Sequence, residues 1–406
     1  MFDLKTESGA TMQGILQKIN SGSARDRLAT LNKIILAEKE PPVALPQYAN
    51  NHIHTNYSFS PYSPTAAVYF AREAGLQTAG IMDHDSIGGA QEFIAAGKIA
   101  GLATTIGLEC RVSLEGTLLE GRTVNNPDQK SNAYMALHGV PHTQINYLQD
   151  FFSPLREKRN IRNKKMVEKI NALVSSYGVV LDFEKDILPT SQFAGGGCVT
   201  ERHLLYVLGE KLSERVGRHK LISVLENDFR ISLSENQKTQ LNDPQNPYFL
   251  YDLLGVLKSS LVERIYIPAS DECMSISQLS CLAAHTGALL CYSYLGDVGE
   301  SVTGDKKAQK FEDDYLDLLF DVIQEHHINA VTYMPSRNTP EQLRRIQKIC
   351  RERGIIEISG EDINSPRQRF ICKQLAQPQF THLIDATWNL IAREKAETQR
   401  QLNKIN

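Results

Sequence analysis

Five short segments of this chain place histidines and carboxylates beside apolar residues that are typical of strands. The segments are residues 51–55, 82–86, 108–110, 137–139 and 359–364. His52 and His54 are two residues apart, so in a strand both side chains lie on the same face. Imidazole and carboxylate ligands without thiolates suit zinc, manganese or iron in a hydrolytic site. The pattern therefore predicts a metal-dependent hydrolase.

One ion that activates water needs at least three protein ligands and an open position. The candidates for such a set are His52, His54, Glu109 and Asp362. The candidates for a second ion are His84 and His138, with Glu109 bridging the two ions, and His142 is an alternative to His138. These residues fall at the ends of predicted strands or in the loops that follow, where the active sites of β/α barrels gather.

The elements around these segments alternate between strands and helices. Strands are predicted around 52–54 and at 78–82, 103–108, 288–292, 330–334 and 355–359, and helices at 64–74, 88–100, 313–326 and 340–353. Repeated β-then-α units predict a parallel sheet or barrel. Residues 144–275 interrupt this rhythm with charge-rich helical sequence, which favours an inserted helical cap domain.

We therefore expect an α/β fold divided into five parts. These are an N-terminal helical extension (1–46), the first part of the barrel (47–143), the inserted cap domain (144–275), the second part of the barrel (276–372) and a C-terminal helix (373–406). The length of 406 residues supports more than one unit, because single cores rarely exceed about 250–300 residues.

Composition argues against several classes of partner. The formal net charge is −3, so neither nucleic acid nor an anionic membrane is expected as an obligate partner. The seven cysteines form no CxxC pair, and no apolar run reaches the roughly 18–20 residues that a membrane span needs. These features predict a cytoplasmic protein with reduced thiols.

The five segments resemble the PHP family (polymerase and histidinol phosphatase domains) over about 48–143 and 276–372. The matching stretches are His-Ile-His-Thr at 52–55, Met-Asp-His-Asp at 82–85, Gly-Leu-Glu at 107–109, the setting of His138, and Gly-Glu-Asp-Ile-Asn at 360–364. The last stretch resembles one branch of the family. The resemblance implies a distorted seven-stranded β/α barrel that binds one to three divalent ions and mostly hydrolyses phosphoesters.

Two positions depart from the family pattern. Ser293 and Asn364 stand where the family has histidines, so the resemblance implies a full ligand set for one ion and fewer ligands for the others. Asn364 is expected either to bind metal through its amide oxygen or to hydrogen-bond nearby. Asp83 and Asp85 are expected to orient His84 or to cap a helix, because ligating histidines commonly donate their second N–H to a carboxylate.

Basic residues beyond these motifs are candidates for substrate binding. Arg202 and His203 begin a predicted helix of the cap and resemble an Arg-x-His segment that faces the substrate phosphate in some PHP phosphatases. They are also compatible with an ordinary surface helix. Arg337 follows a predicted strand at the active end, whereas Arg159 and Arg162 lie in a run of charges that is typical of a solvated face.

Three functions are compatible with these residues. The preferred hypothesis is hydrolysis of a small anionic phosphoester by metal-activated water, with His84 or His138 assisting proton transfer. The second is hydrolysis of an amide or cyclic C–N bond, as in amidohydrolases, which share a His-x-His barrel. The third is a PHP-like binding protein without catalysis, motivated by Ser293 and Asn364.

Overall fold

The computed structural model of the protein describes residues 12–297 and 310–405, so residues 1–11 of the predicted extension lie outside the described part. The strands are Asn50–Ile53 (β1), Thr78–His84 (β2), Ala103–Ser113 (β3), Asn132–His138 (β4), Met274–Ser275 (β5), Leu289–Ser293 (β6), Ala330–Tyr333 (β7) and Ile356–Ser359 (β8). The helices of the first half are Met12–Asn20 (α1), Ala24–Ala37 (α2), Pro64–Glu73 (α3), Ala90–Ala100 (α4), Ile145–Val174 (α5) and Glu201–Val216 (α6). The second half contains Arg218–Ser223 (α7), Glu235–Asn242 (α8), Phe249–Ile265 (α9), Ile276–Thr286 (α10), Leu316–Glu325 (α11), Pro340–Arg353 (α12) and Thr381–Ile405 (α13).

The strands form one sheet that curls into a barrel. Its order is β1-β2-β3-β4-β6-β7-β8, and the short strand β5 pairs with β3 outside this path. A parallel bridge between Ile53 and Ile363 joins β1 to the segment that follows β8. Helices α3, α4, α11 and α12 connect successive parallel strands. The predicted α/β class with a distorted seven-stranded barrel is confirmed.

Local sequence signals explain where helices α10 and α12 begin and end. Ser275 and Thr339 cap α10 and α12, each accepting a hydrogen bond from the third residue of its helix. The same two helices end at Gly287 and Gly354, whose φ values of 82° and 65° lie in the left-handed region that favours glycine. These signals make the strand-to-helix rhythm visible in the sequence.

Strand β4 departs from the parallel order that the repeated β-then-α units predict. This strand pairs antiparallel with both β3 and β6. No helix lies in the segment 114–131 that links β3 to β4. A parallel return would need a crossover connection, usually a helix, so the chain turns back instead. As a result Ala136, not His138, lies directly opposite Glu109.

Two large apolar clusters occupy different parts of the chain. One contains the barrel strands and the helices around them, together with the start of α5. The other lies within residues 166–265, except for Phe59. Phe59 follows the His-x-His segment, and its ring packs edge-on against His203, with ring centroids 4.9 Å apart. The helical region, residues 144–275, thus has an apolar core of its own. That it forms a separate cap domain with boundaries at 144 and 275 stays a prediction.

The C-terminal helix α13 packs near the start of β3. Its buried Glu394 accepts hydrogen bonds from Thr105 Oγ1 and the Ile106 amide, and lies 2.8 Å from His142 Nε2. Thr105 and Ile106 belong to the N-terminal half of β3, so this contact lies at the end of the barrel away from Glu109 and Asp362. The geometry gives no support to His142 as an alternative to His138. No helix in the described ranges is both long enough and apolar enough to cross a membrane.

Candidate metal centre

The predicted ligands of the first ion meet at one end of the barrel. His52 lies on β1, and His84 is the last residue of β2, in register with Glu109 of β3. Asp362 follows β8, where backbone hydrogen bonds join His54 N to Ile363 O (3.0 Å) and Ile363 N to His52 O (3.1 Å). These bonds place the Asp362 carboxylate beside His54.

A glycine makes this approach possible. A Cβ atom at Gly360 would lie 2.6 Å from His52 Cβ, closer than real Cβ atoms approach other atoms. A side chain at 360 would therefore push the end of β8 away from β1. The glycine of the Gly-Glu-Asp-Ile-Asn segment thus has a direct steric role in positioning Asp362.

One carboxylate oxygen lies at the centre of the site. Glu109 Oε1 is 3.4 Å from His52 Nε2, 3.3 Å from His54 Nε2 and 3.1 Å from His84 Nδ1. On the other side, His54 Nε2 is 3.2 Å from Asp362 Oδ1. The ligand atoms of His52, His54 and Asp362, and those of His54, His84 and Glu109, each lie within 4.8 Å of one another.

These separations fit a divalent cation. A tetrahedral ion with bonds of about 2.0–2.1 Å has ligand atoms about 3.3–3.4 Å apart, close to the spacing of these nitrogen and oxygen atoms. The imidazoles and carboxylates are the ligand types that zinc, manganese and iron accept. We conclude that either of the two overlapping groups fits a divalent ion, and that His54, which they share, can serve only one ion at a time.

The electrostatics keep both carboxylates ionised. Burial alone would raise the pKa of Glu109, but the positive charge on this group of imidazoles and hydrogen bonds from His52 and His54 hold it well below its usual value. His54 likewise overcomes burial at Asp362 and lowers the pKa of that carboxyl group. Burial lowers the pKa of His84 well below its ordinary value, so that imidazole is neutral and suited to binding metal.

His54 behaves differently, and this predicts how metal binding depends on pH. Burial disfavours its charged form, but hydrogen bonds to Asp362 and Glu109 outweigh burial and raise the pKa of His54 to about 10. Below that pH the ion-free imidazole carries a proton that an ion must displace. We expect the apparent Mn²⁺ affinity to rise about tenfold per pH unit between pH 6 and 8.

Calorimetry in two buffers of different ionisation enthalpy measures this proton directly. The expected result at pH 7 is the release of about one proton by the ion that binds His54. An affinity that does not change with pH, together with no proton release, would contradict a protonated His54.

A second set of buried groups holds the His54 ring through its Nδ1 atom, on the side away from Glu109 and Asp362. Ser58 Oγ lies 3.1 Å from His54 Nδ1 and donates to Asp83 Oδ1 at 2.6 Å. The same Asp83 carboxylate accepts from the amide and hydroxyl of Thr55 at 2.7 and 2.6 Å. Since Ser58 donates its hydrogen to Asp83, it accepts the Nδ1 hydrogen of His54. Nε2 of His54 therefore faces Glu109 and Asp362, and its lone pair becomes available to an ion once the Nε2 proton is displaced.

We therefore expect Ser58→Ala to weaken metal binding while leaving every metal ligand in place. Partners of ligating histidines are typically worth about 10- to 100-fold in metal affinity or activity. Competition with a chromophoric chelator measures the loss. The matched control is Ser60→Ala in the same loop, because the Ser60 hydroxyl bonds only the backbone of Tyr62 in the described structure. Equal affinity in the two variants would argue against the chain of bonds from Asp83 to His54.

Asp83 and Asp85 were expected either to orient His84 or to cap a helix. In the structure their carboxylates contact other residues, so they do not orient His84. Asp83 binds Thr55 and Ser58, as described above. Asp85 lies 2.6 Å from Arg159 Nη1 of helix α5. The two aspartates thus hold the His-x-His loop and the helical region against β2.

His138 and Asn364 lie outside both ligand groups. His138 is buried at the end of β4, and burial, followed by the charge of His52, lowers its pKa to about 3. Its Nε2 atom has no hydrogen-bond partner among the described residues. Asn364 Nδ2 donates to Asp362 Oδ1 at 2.5 Å, which matches the hydrogen-bonding alternative for this residue. Metal ligation by either residue stays a prediction.

A cavity of about 1350 Å³ opens over the site. His52, His84, Glu109 and Asp362 line it, together with Arg202 and Arg337 from the predicted substrate-binding set. His203 does not line it. Its Nδ1 accepts a hydrogen bond from the Thr200 amide at 3.0 Å, and burial lowers its pKa to about 3. A contact between His203 and substrate therefore finds no support, because the imidazole caps helix α6.

The prediction of a solvated face for Arg159 and Arg162 was wrong. Both are buried, and with Arg111 they form a network with three carboxylates. The contacts are Arg111–Glu201 (2.8 Å), Arg111–Glu272 (3.5 Å), Arg159–Asp85 (2.6 Å), Arg159–Glu201 (3.1 Å), Arg162–Glu201 (2.8 Å) and Arg162–Glu272 (2.6 Å). This arginine–carboxylate network joins the barrel to α5 and α6.

Sequence reasoning missed Arg111 and its neighbour Tyr134. A signal for Arg111 was present, because it lies two residues after Glu109 and shares its face of the strand. Tyr134 gave no such signal, since the sequence does not show that β4 pairs antiparallel with β3.

Comparison with known proteins supports this description. Residues 50–201 match the family model of the PHP domain. The fold is similar to that of a proposed metal-dependent phosphoesterase from Bifidobacterium adolescentis, with a TM-score of 0.54, 17% identity, and coverage of 87% of this chain and 98% of that one. It is also similar to an amidohydrolase from Chromobacterium violaceum solved with sulfate and no metal, with a TM-score of 0.53, 15% identity, and coverage of 83% and 96%. No curated protein matches the chain. Residues 50–201 are thus similar to the PHP domain, the family that the sequence motifs also resemble.

Proposed function

We propose that this chain is a metal-dependent hydrolase that cleaves small anionic phosphoesters. The observation that carries the proposal is the position of Glu109 Oε1, 3.1–3.4 Å from three imidazole nitrogens at the floor of an open cavity. A carboxylate oxygen so placed suits the bridging role that the family resemblance implies. The PHP-domain match and the fold shared with a proposed phosphoesterase support the same chemistry.

Each group has a distinct part in this function. His52, His54 and Asp362 would hold one divalent ion, and His84 and Glu109 would contribute to a second, because the one free Nε2 lone pair of His54 can bind a single ion. Such an ion supplies Lewis acidity, which activates water near neutral pH and stabilises charge on phosphoryl oxygens. The ionised Glu109 and Asp362 balance the positive charge, and Ser58 fixes the His54 ring. His84, being neutral and close to Glu109, is suited to ligation rather than proton storage.

Two arginines in the cavity wall favour an anionic substrate. Arg202 at the start of α6 and Arg337 after β7 both line the cavity that contains the ligands. Guanidinium groups bind phosphate and carboxylate through paired hydrogen bonds, so these two residues suit the recognition of an anion above the ions. The volume of about 1350 Å³ exceeds the roughly 300–1000 Å³ of usual small-molecule pockets. It therefore accommodates a phosphoester with a sizeable leaving group.

Hydrolysis of a C–N bond is the second candidate. It is favoured by the fold shared with an amidohydrolase. Ser293 and Asn364 also favour it, since both line the cavity where the family resemblance implies histidines, and fewer ions suit carbonyl chemistry as well as phosphate chemistry. The two candidates differ in the bond cleaved and not in the ligand set.

An assay of substrate classes tests the proposal. Protein loaded with Zn²⁺, Mn²⁺ or Fe²⁺ is tested against a panel of phosphomonoesters and phosphodiesters and, in parallel, a panel of amides and cyclic amides. The expected result is metal-dependent phosphoester turnover that His54→Ala abolishes. His219→Ala, an exposed histidine of α7, is the control and should retain full turnover.

The outcomes separate the three functions. Absence of phosphoester turnover with any of the three ions contradicts the proposal. Turnover of amides alone establishes the C–N alternative. Less than one ion per chain by elemental analysis, with no turnover in either panel, supports a binding protein without catalysis.

A further inference from the structure

Tyr134 stands on the inner wall of the barrel next to the metal site. On β4 it lies opposite Arg111 of β3, and Ala136, two residues further, lies opposite Glu109. Residues two apart on a strand, and residues directly opposite across a pair, share a face. Tyr134 is therefore one row of side chains from Glu109 and faces the same space. Its ring centroid is 5.7 Å from that of His84, and both residues line the cavity.

The hydrogen bonds of Tyr134 leave its hydroxyl hydrogen available. Arg111 Nε donates to Tyr134 Oη at 2.9 Å. Arginine has no acceptor, so the phenol oxygen accepts this bond and keeps its own hydrogen for another acceptor. Within the described residues, no acceptor for that hydrogen is found. Burial raises the pKa of Tyr134, so the phenol is a neutral donor near pH 7.

Arg111 holds the phenol and forms ion pairs with two carboxylates. Its Nη2 atom lies 2.8 Å from Glu201 Oε1, and its Nη1 atom lies 3.5 Å from Glu272 Oε1. The guanidinium charge is thus balanced by carboxylates of the arginine–carboxylate network. Arg111 therefore acts as a positioning residue for Tyr134 and not as the anion-binding group.

We propose that Tyr134 binds the substrate by donating a hydrogen bond to a phosphoryl oxygen beside the metal centre. This inference rests on the proposed phosphoester chemistry and names a substrate contact outside the family motifs. A neutral donor suits this position, because the ions and Arg202 already supply positive charge to the cavity. Hydrogen bonds to charged groups are typically worth about 10- to 100-fold in affinity.

The test measures binding of inorganic phosphate to the metal-loaded protein. Tyr134→Phe removes only the hydroxyl group, and we expect the dissociation constant for phosphate to rise about 10- to 100-fold by calorimetry. Metal content by elemental analysis should not change. Tyr266→Phe is the control, because Tyr266 lines the same cavity but its hydroxyl donates to Gln129 Oε1 at 3.0 Å. Its phosphate affinity should stay within about twofold of wild type.

A second variant guards against an indirect effect on Arg111. Tyr134→Gln offers an acceptor to Arg111 and a donor to the cavity, so it should recover part of the phosphate affinity lost in Tyr134→Phe. Wild-type phosphate affinity in Tyr134→Phe overturns the inference. So does a loss that merely follows a lowered metal content.

This test is independent of the proposed function. Wild-type protein that hydrolyses no phosphoester would overturn the function, yet a weaker phosphate affinity in Tyr134→Phe would still establish Tyr134 as an anion-binding residue. Conversely, if the wild-type protein hydrolyses phosphoesters and Tyr134→Phe binds phosphate as tightly as wild type does, the function stands and the role of Tyr134 is rejected.

Discussion

Glu109→Gln is expected to remove bound metal and to lower kcat/KM for the phosphoester by about 1000-fold, or ~4 kcal/mol of transition-state stabilisation. The Glu109 oxygen lies within 3.4 Å of three imidazole nitrogens, so its charge acts on every histidine of the site. The amide keeps the size of the side chain but loses the negative charge that a divalent ion needs. Elemental analysis and steady-state kinetics measure the two losses.

Glu312→Gln is the matched control for this variant. Glu312 is also a buried glutamate, but its Oε1 accepts from the amides of Leu295 and Gly296, and burial raises its pKa to about 7. An amide therefore replaces a group that is partly protonated near neutral pH, and metal content should stay at the wild-type level. If Glu109→Gln kept both its metal and its activity, the central position of Glu109 in the site would be wrong.

The convergence of the candidate ligands could be predicted because each of them lies in a short sequence motif next to a strand. His52 and His54 share a face through the two-residue period of a strand, and Glu109 and His84 lie on neighbouring strands. The barrel could be predicted because short apolar strands alternate with amphipathic helices and because the motifs resemble those of the PHP family. These signals involve residues close together in the chain, so they can be recognised in a single sequence.

The features that escaped prediction depend on contacts between distant residues. Arg162 meets Glu201, 39 positions later, and Glu272, 110 positions later, so its run of charges resembles a solvated face until the chain folds. The same holds for Tyr134, whose place beside Arg111 follows from the antiparallel direction of β4. For His203 the sequence alone does not separate two roles, because a histidine at a helix start can cap the helix as well as bind an anion.

The arginine–carboxylate network also predicts a large effect on stability. Glu201 contacts Arg111, Arg159 and Arg162, and the three guanidinium groups lower the pKa of Glu201 well below its usual value despite burial. Removing one partner of a buried pair leaves charge that nothing compensates. We expect Glu201→Ala to lower the free energy of unfolding by about 3–5 kcal/mol, measured by urea denaturation.

The control and the effect on the site follow from the position of Glu201. The control is Glu214→Ala. Glu214 lies on the same helix α6 but is exposed, so this substitution should change the free energy of unfolding by less than about 0.5 kcal/mol. Glu201 also contacts Arg111, which in turn hydrogen-bonds Tyr134. Without Glu201, Arg111 should no longer hold Tyr134 in place, so the protein that remains folded should bind phosphate more weakly. A cost below about 1 kcal/mol would mean that water or Glu272 compensates the three arginines. In that case the network would not be what fixes the helical region to the barrel.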